Sequence, residues 1–240
     1  MSQVIIIGGG AAGMMAAIAA AGAGHKVCIY EKNEKLGKKI YITGKGRCNV
    51  TNACDTEELF QNVVHNAKFL YSSFYAFTNT DIMDLIEKHG CPLKTERGNR
   101  VFPVSDKSSD VIHALTAALR KLGVEVELYE EVADVLAEDG HVTGVRLKRG
   151  QKVVFADAVI VTTGGLSYPS TGSTGDGYRF AKELGHTITD LSPALVPFVA
   201  KEDVCKELQG LSLRNISVQI RNGKKVLYEE FGEMLFTHFG

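Results

Sequence analysis

The chain has 240 residues, with 27 Lys and Arg against 28 Asp and Glu, for a formal net charge of −1. Hydrophobic residues make up 45% and charged residues 23%, which excludes wholesale disorder, and the balanced charge predicts neither a nucleic-acid nor a membrane partner. Glycine, at 25 positions, exceeds the usual share of roughly 7%, and it is clustered. At roughly 150 residues per domain, the length predicts one domain and part of another. The first 24 residues carry no charged side chain. A leader or membrane span is still not expected, because no basic region precedes Val4 and Gly8, Gly9 and Gly10 interrupt the apolar run after Ile7. Five cysteines without a CxxC pair point away from a disulfide framework or a zinc site and towards a reducing cytoplasm.

In chain order, Val4–Ile7 is a short β-branched run expected of a strand buried on both faces. Three glycines follow, then an Ala- and Met-rich helix over 11–23 and a second strand over 26–31. Together they predict a β-α-β unit with a right-handed crossover. Residues 32–54 read as a basic loop, 56–76 and 79–89 as helices, the latter capped by Asn79 or Thr80, and 97–99 as a turn. An amphipathic helix is predicted over 108–122 with Gly123 after it, then a strand over 124–129. Three alternating runs over 132–155 predict an antiparallel meander. A buried strand over 158–162 ends in Thr163-Gly164-Gly165, and a Gly/Ser/Thr-rich loop leads to a helix near 177–184. After Leu191 the texture changes to antiparallel strands at 213–220, 225–229 and 234–236, with a turn at Asn222-Gly223. The fold class expected is therefore α/β: a Rossmann-like parallel sheet with a β-meander crossover over 1–190, then a β-rich second domain begun in 191–240.

Gly8-x-Gly10-x-x-Gly13 falls immediately after a strand and opens a helix, with Glu31 ending the next strand. That context identifies a dinucleotide-binding fingerprint. Gly8 permits the tight turn, Gly10 lets a pyrophosphate approach the backbone, and Gly13 allows close packing of helix on strand. The helix start at Ala11 and Ala12 offers unpaired N–H groups and a partial positive charge. Glu31 is the expected acceptor for ribose hydroxyls. In the basic loop, Lys32, Lys38 and Lys39 are candidates for neutralising the pyrophosphate, although most lysines there are expected to be solvated.

Two features resemble the glutathione-reductase-like flavoproteins: the spacing Gly24-x-x-Val27-x-x-x-Glu31 followed by Gly37, and a meander leading to a strand that ends Thr-Gly-Gly. Two long motifs, Ile42-Thr43-Gly44-Lys45-Gly46-Arg47-Cys48-Asn49-Val50-Thr51-Asn52 and the run from Tyr168 to Tyr178, narrow the resemblance. With Pro193-Ala194-Leu195-Val196-Pro197 and Gly232–His238, they make the whole chain similar to the aminoacetone-oxidase or BaiN-like family of bacterial FAD-dependent flavoproteins. This resemblance implies FAD and an oxidoreductase activity, the flavin taking a hydride from a nicotinamide cofactor, NAD(P)H, or a small organic substrate. It implies that Thr43, Gly44, Gly46, Arg47, Cys48, Asn49, Thr163, Gly164 and Gly165 approach the flavin ring and that Val132 meets the adenine. It also implies a chain that returns from the second domain to finish the flavin domain, whereas this sequence stops at Gly240. A truncated, non-catalytic dinucleotide-binding module is therefore the alternative expectation.

A lesser alternative is a flavin-coupled dithiol formed by Cys48 and Cys54, separated by five residues. Thiolate character would be decisive for it. No nucleophile elbow, P-loop or paired metal spacing among the seven histidines is found. Asp176 is expected to cap the helix after it or to order the loop before it.

Overall fold

The structure, a computed structural model, describes residues 1–193 and 195–238; Ala194 and Gly240 lie outside them. The chain divides into two compact units, Met1–Ile188 and one that begins at Thr189. The first unit opens with β1 (Gln3–Ile7), α1 (Ala11–Gly22) and β2 (Lys26–Glu31). It continues through β3 (Thr51–Asn52), α2 (Thr56–Gln61), α3 (Tyr71–Ala76), α4 (Asn79–Lys88), β4 (Leu93–Glu96), β5 (Arg100–Pro103) and α5 (Ser108–Lys121). It closes with β6 (Glu125–Leu128), β7 (Val132–Glu138), β8 (His141–Leu147), β9 (Val153–Phe155), β10 (Ala158–Val161) and α6 (Asp176–Glu183).

The central sheet is fully parallel in the order β10-β1-β2-β6. Successive strand side chains point to opposite faces, and β1 and β2 use both. Val4, Ile6, Val27 and Ile29 pack with Met14 and Ala17 of α1 and Val111, Leu115 and Leu119 of α5. Ile5, Ile7, Cys28 and Tyr30 pack on the other side with Val132, Val145, Leu147 and Phe180. Hence the helices cover one face, while the antiparallel meander β7-β8-β9 and α6 cover the other. A strand run without polar alternation is the sequence mark of this double burial.

Two local expectations are corrected, and the expected turn at 97–99 lies in a sheet that was not foreseen. The helix expected over 56–76 is broken into α2, a 3-10 turn at Ala67–Leu70, and α3. Val63 and Val64 are β-branched, and Asn66 adopts a left-handed backbone with φ 54°. The cap of α4 is Thr78, not Asn79 or Thr80: its hydroxyl accepts from the Asp81 N–H while the Asp81 carboxylate accepts from the Thr78 N–H, a closed capping box. The turn at 97–99 joins β4 to β5 in a small antiparallel sheet with β3, whose strands of two to four residues are too short to show alternation.

Among its described residues the second unit holds α7 (Val204–Glu207) and a hairpin, β11 (Ser212–Asn222) with β12 (Lys225–Leu235). The expected second and third strands are one: Gly232 pairs with Ile216 and does not interrupt β12. Among the described residues no helix is long and apolar enough to cross a membrane.

Candidate functional site

A cavity of about 360 Å³ opens in the first unit where β1 hands over to α1. Gly8, Gly10, Ala11 and Ala12 line it. Gly8 sits at φ 103°, its N–H donating to Tyr30 at 2.8 Å, and a Cβ there would meet the Thr162 carbonyl oxygen at 2.7 Å. Only glycine makes this turn without strain. Gly13 does not line the cavity; a Cβ at this position would collide with the Gly8 carbonyl and the Thr162 hydroxyl, so its place is the close packing of α1 on β1. Gly10 is different: a Cβ would meet nothing within 4 Å. Its freedom from a side chain leaves space beside the start of α1, a helix with no side-chain cap and no acidic residue in its first turn. Unpaired N–H groups and the helix dipole face an open volume there, the geometry of an anion site.

Glu31 stands at the end of β2, 7% exposed. One carboxylate oxygen accepts from the Gly9 N–H at 2.6 Å; the other accepts from the Asn33 N–H at 2.8 Å and from its side-chain amide at 2.6 Å. The carboxylate thus ties the glycine turn to the loop after β2, while still lining the cavity. Val132, at the start of the meander, lines it beside Glu130 and Glu131.

The three predicted lysines also line the cavity, but each is engaged by protein. Lys32 pairs with Asp176 at 2.6 Å and donates to Thr174 at 2.8 Å. Lys38 meets Glu34 at 3.1 Å and Asn33 at 3.2 Å. Lys39 donates to the Ser167 carbonyl at 2.8 Å and the Ser173 hydroxyl at 2.7 Å. Burial pushes the Asp176 carboxyl up, yet its bonds from Lys32 and Thr174 outweigh this and hold it below the usual carboxylate range. Asp176 is the first residue of α6, one place past the cap position occupied by Gly175. It orders the loop by tying it to Lys32 rather than by capping.

Thr163 and Gly164 line the cavity, and Gly165 lies just beyond it. The Thr163 hydroxyl is buried with no hydrogen-bond partner among the described residues. It lies against α6, where a Cβ at Gly177 would meet it at 2.8 Å, so the side chain packs on that helix while the residue borders the cavity. The open space at Gly10 and the uncapped helix start make the residues present fit a dinucleotide.

Of the Thr43–Asn49 motif only Thr43 reaches the cavity. Gly44, Gly46, Arg47, Cys48 and Asn49 form a kinked turn with successive left-handed residues, held from outside. Arg47 bonds Glu96 and Asp106 and lies over the Phe102 ring at 4.1 Å. Oriented with its nitrogen towards them, the Asn49 amide donates to the carbonyls of Thr51 and Val101 at 3.0 and 3.2 Å. Cys48 and Cys54 are both buried free thiols. Burial pushes both thiols up, the opposite of what a thiolate relay needs.

Thr171 and Gly172, within the stretch 163–172 that the resemblance brings towards the flavin, line the cavity, whereas sequence reasoning passed over Asn33, Thr162 and Ser173, which line it too. The Thr162 hydroxyl donates to the carbonyls of Ile7 and Gly8 at 2.9 and 3.0 Å, joining β10 to the glycine turn. The density of Ser, Thr and Gly at 170–175 was the available signal.

Fold and site together define a Rossmann-type dinucleotide-binding domain. The HI0933-like protein Rossmann domain matches residues 2–236, and the chain belongs to that family. A ribosomal RNA dihydrouridine synthase of Escherichia coli (strain K12) is 31% identical over 99% of this chain and 58% of its own length. A 3-dehydro-bile acid delta(4,6)-reductase of Clostridium scindens is 34% identical over 100% of this chain and 58% of its own length. The chain thus spans little more than half the length of these relatives. A flavocytochrome c3 fumarate reductase in its open conformation shares the fold with a TM-score of 0.57, at 22% identity over 89% of this chain and 47% of its own. The family is one of FAD-binding oxidoreductases, and FAD is the cofactor of this domain.

Proposed function

We propose that this chain is the dinucleotide-holding part of an FAD-dependent reductase. The observation that carries the reading is the open space beside Gly10 at the uncapped start of α1, within one cavity that Glu31, Val132 and Thr163 also line. In this reading the N–H groups at Ala11 and Ala12 take the pyrophosphate, Glu31 accepts from ribose hydroxyls, Val132 packs on the adenine side, and Thr163 and Gly164 lie towards the ring. When bound, FAD supplies the hydride acceptor and donor; the protein supplies position and electrostatics. The hydride source is NAD(P)H or a small organic substrate. Within the oxidoreductase activity that the motif resemblance implies, a reductase is favoured, because the bile-acid relative is named a reductase. The proposed substrate class is a small molecule with a carbon–carbon double bond conjugated to a carbonyl. Two relatives' names specify ribosomal RNA, so an RNA oligonucleotide belongs in the assay as a competing substrate.

The test is direct. The purified chain is mixed with FAD, desalted, and its visible spectrum recorded; retained flavin absorbance that NADH or NADPH bleaches without oxygen is expected. Loss of all flavin on desalting, with no binding by calorimetry, would overturn the proposal.

A second reading has its own support. Most of the motif expected nearest the ring, 44–49, lies outside the cavity, whereas the residues for the adenosine diphosphate half line it. On that reading the chain alone is a binding module without turnover. ADP would then bind as tightly as FAD, and nicotinamide would not bleach the flavin.

A further inference from the structure

Two loops far apart in sequence meet along the cavity. One is the segment after β2, with Lys32, Asn33 and Lys39; the other runs into the first residue of α6, with Thr171, Ser173 and Asp176. Lys32 pairs with Asp176 at 2.6 Å, the Asn33 amide donates to the Thr171 carbonyl at 3.2 Å, and Lys39 donates to the Ser173 hydroxyl at 2.7 Å. The Lys32 and Asp176 side chains are only about a quarter exposed, at 25% and 24%, so their pairing is less screened than a surface ion pair. Gly172 is pressed against this seam: a Cβ there would meet the Asn33 amide nitrogen at 2.6 Å. Both loops therefore form one continuous wall of the cavity, joined by side chains rather than by sheet.

We propose that this Lys32–Asp176 seam is a clasp whose opening sets how fast the dinucleotide enters and leaves. Asp176 is its positioning residue. The inference rests on the reading of this cavity as the FAD site. Lys32 and Lys39 serve first to hold the two loops together, leaving the uncapped helix start to meet the diphosphate. A wall built from side-chain bonds between loops opens locally at a lower cost than the parallel sheet beneath it. Dinucleotide exchange then requires the bonds at Lys32, Asn33 and Lys39 to break together and re-form.

The experiment compares the parent chain with Asp176→Asn and Asn33→Ala. Release of FAD is followed by stopped-flow flavin fluorescence after dilution, and association on mixing. Both variants are expected to release FAD faster, Asp176→Asn by roughly tenfold, as befits loss of a charge-assisted bond, with faster association too and a dissociation constant that moves much less. Added salt should speed release from the parent and hardly affect Asp176→Asn. Backbone hydrogen exchange without FAD should quicken over 167–176 in both variants and stay unchanged in β1. Parent-like release and exchange in both variants would overturn the clasp, as would weaker binding caused by slower association alone. Failure of the parent to bind FAD would instead overturn the cofactor reading; the exchange measurement still decides whether the seam holds the loops.

Discussion

The carboxylate of Glu31 accepts a hydrogen bond from the backbone N–H of Gly9 at 2.6 Å, with Glu31 itself 7% exposed. The acid that ends β2 is thus part of the glycine turn and not merely adjacent to the cavity. Glu31→Gln keeps size and shape but turns an N–H₂ towards donors at Gly9 or Asn33. It should destabilise the FAD-free protein by about 1–3 kcal/mol, the cost of leaving a buried donor unmet, and weaken FAD binding as well. Thermal melting with and without FAD separates the two effects; an unchanged melting temperature in the FAD-free protein would show that the Gly9 contact carries no weight.

Gly10 and Gly13 should respond in opposite ways. A side chain at Gly10 meets open space, so Gly10→Val should cost the fold at most about 1 kcal/mol, mainly as a poorer helix cap, or roughly 2–4 °C in Tm. The same change should remove FAD binding, because the branched side chain occupies the place of the pyrophosphate. Calorimetry and melting together check it.

Gly13→Ala places a Cβ against the Gly8 carbonyl and the Thr162 hydroxyl. Separation of α1 from β1 would follow, at about 1–3 kcal/mol as for other overpacked positions. Melting should show this loss in the absence of any dinucleotide.

The charge network around Arg47 gives a pH signature. The Arg47 bond holds the Glu96 carboxyl below its usual range, and the Lys94 bond, then Arg47, does the same for Asp106. Carboxyls depressed in the folded state contribute stability above their unfolded pKa of about 4, and that stability is lost as pH falls through the lower folded values. Melting temperature should therefore drop as pH is taken from 5 to 3, and the drop should be shallower in Arg47→Met. Parallel curves would show that the pairs are too well solvated to matter.

Cys48 and Cys54 should behave as inert core thiols. With both pushed up by burial, native-state modification at pH 8 should be slow. Unfolding should release all five thiols, with the same count before and after treatment with a reductant. A count that rises by two on reduction would restore the dithiol reading.

Much of the fold was legible because its elements are local. β1, α1 and β2 lie within the first 31 residues, and the apolar runs, the helix between them and the glycines that the turn demands follow one another in order. The meander showed itself by alternation, and α5 by amphipathic spacing. The 56–76 region misled because Ala, Leu and Glu favour helix on average, while the break depends on the backbone at Asn66. The sheet β3-β5-β4 stayed hidden because strands of two to four residues carry no period. At the site, Gly8, Gly10 and Glu31 were readable from spacing. Asn33, Thr162 and Ser173 were not, since each acts through a partner supplied by a distant loop.

By itself the sequence determined the class of ligand. A strand, a glycine turn, a helix start and a terminal acid leave a phosphate-sized space with unpaired N–H groups, and this depends on residues close along the chain. Only the tertiary structure decided what the charged groups around that space do. Lys32 finds Asp176 and Lys39 finds Ser173 across separations of 144 and 134 residues, and Arg47 turns away to Glu96 and Asp106. A long flexible cation pairs with whichever acceptor the packed fold brings within reach, and the chain pattern near the lysine carries no record of that acceptor.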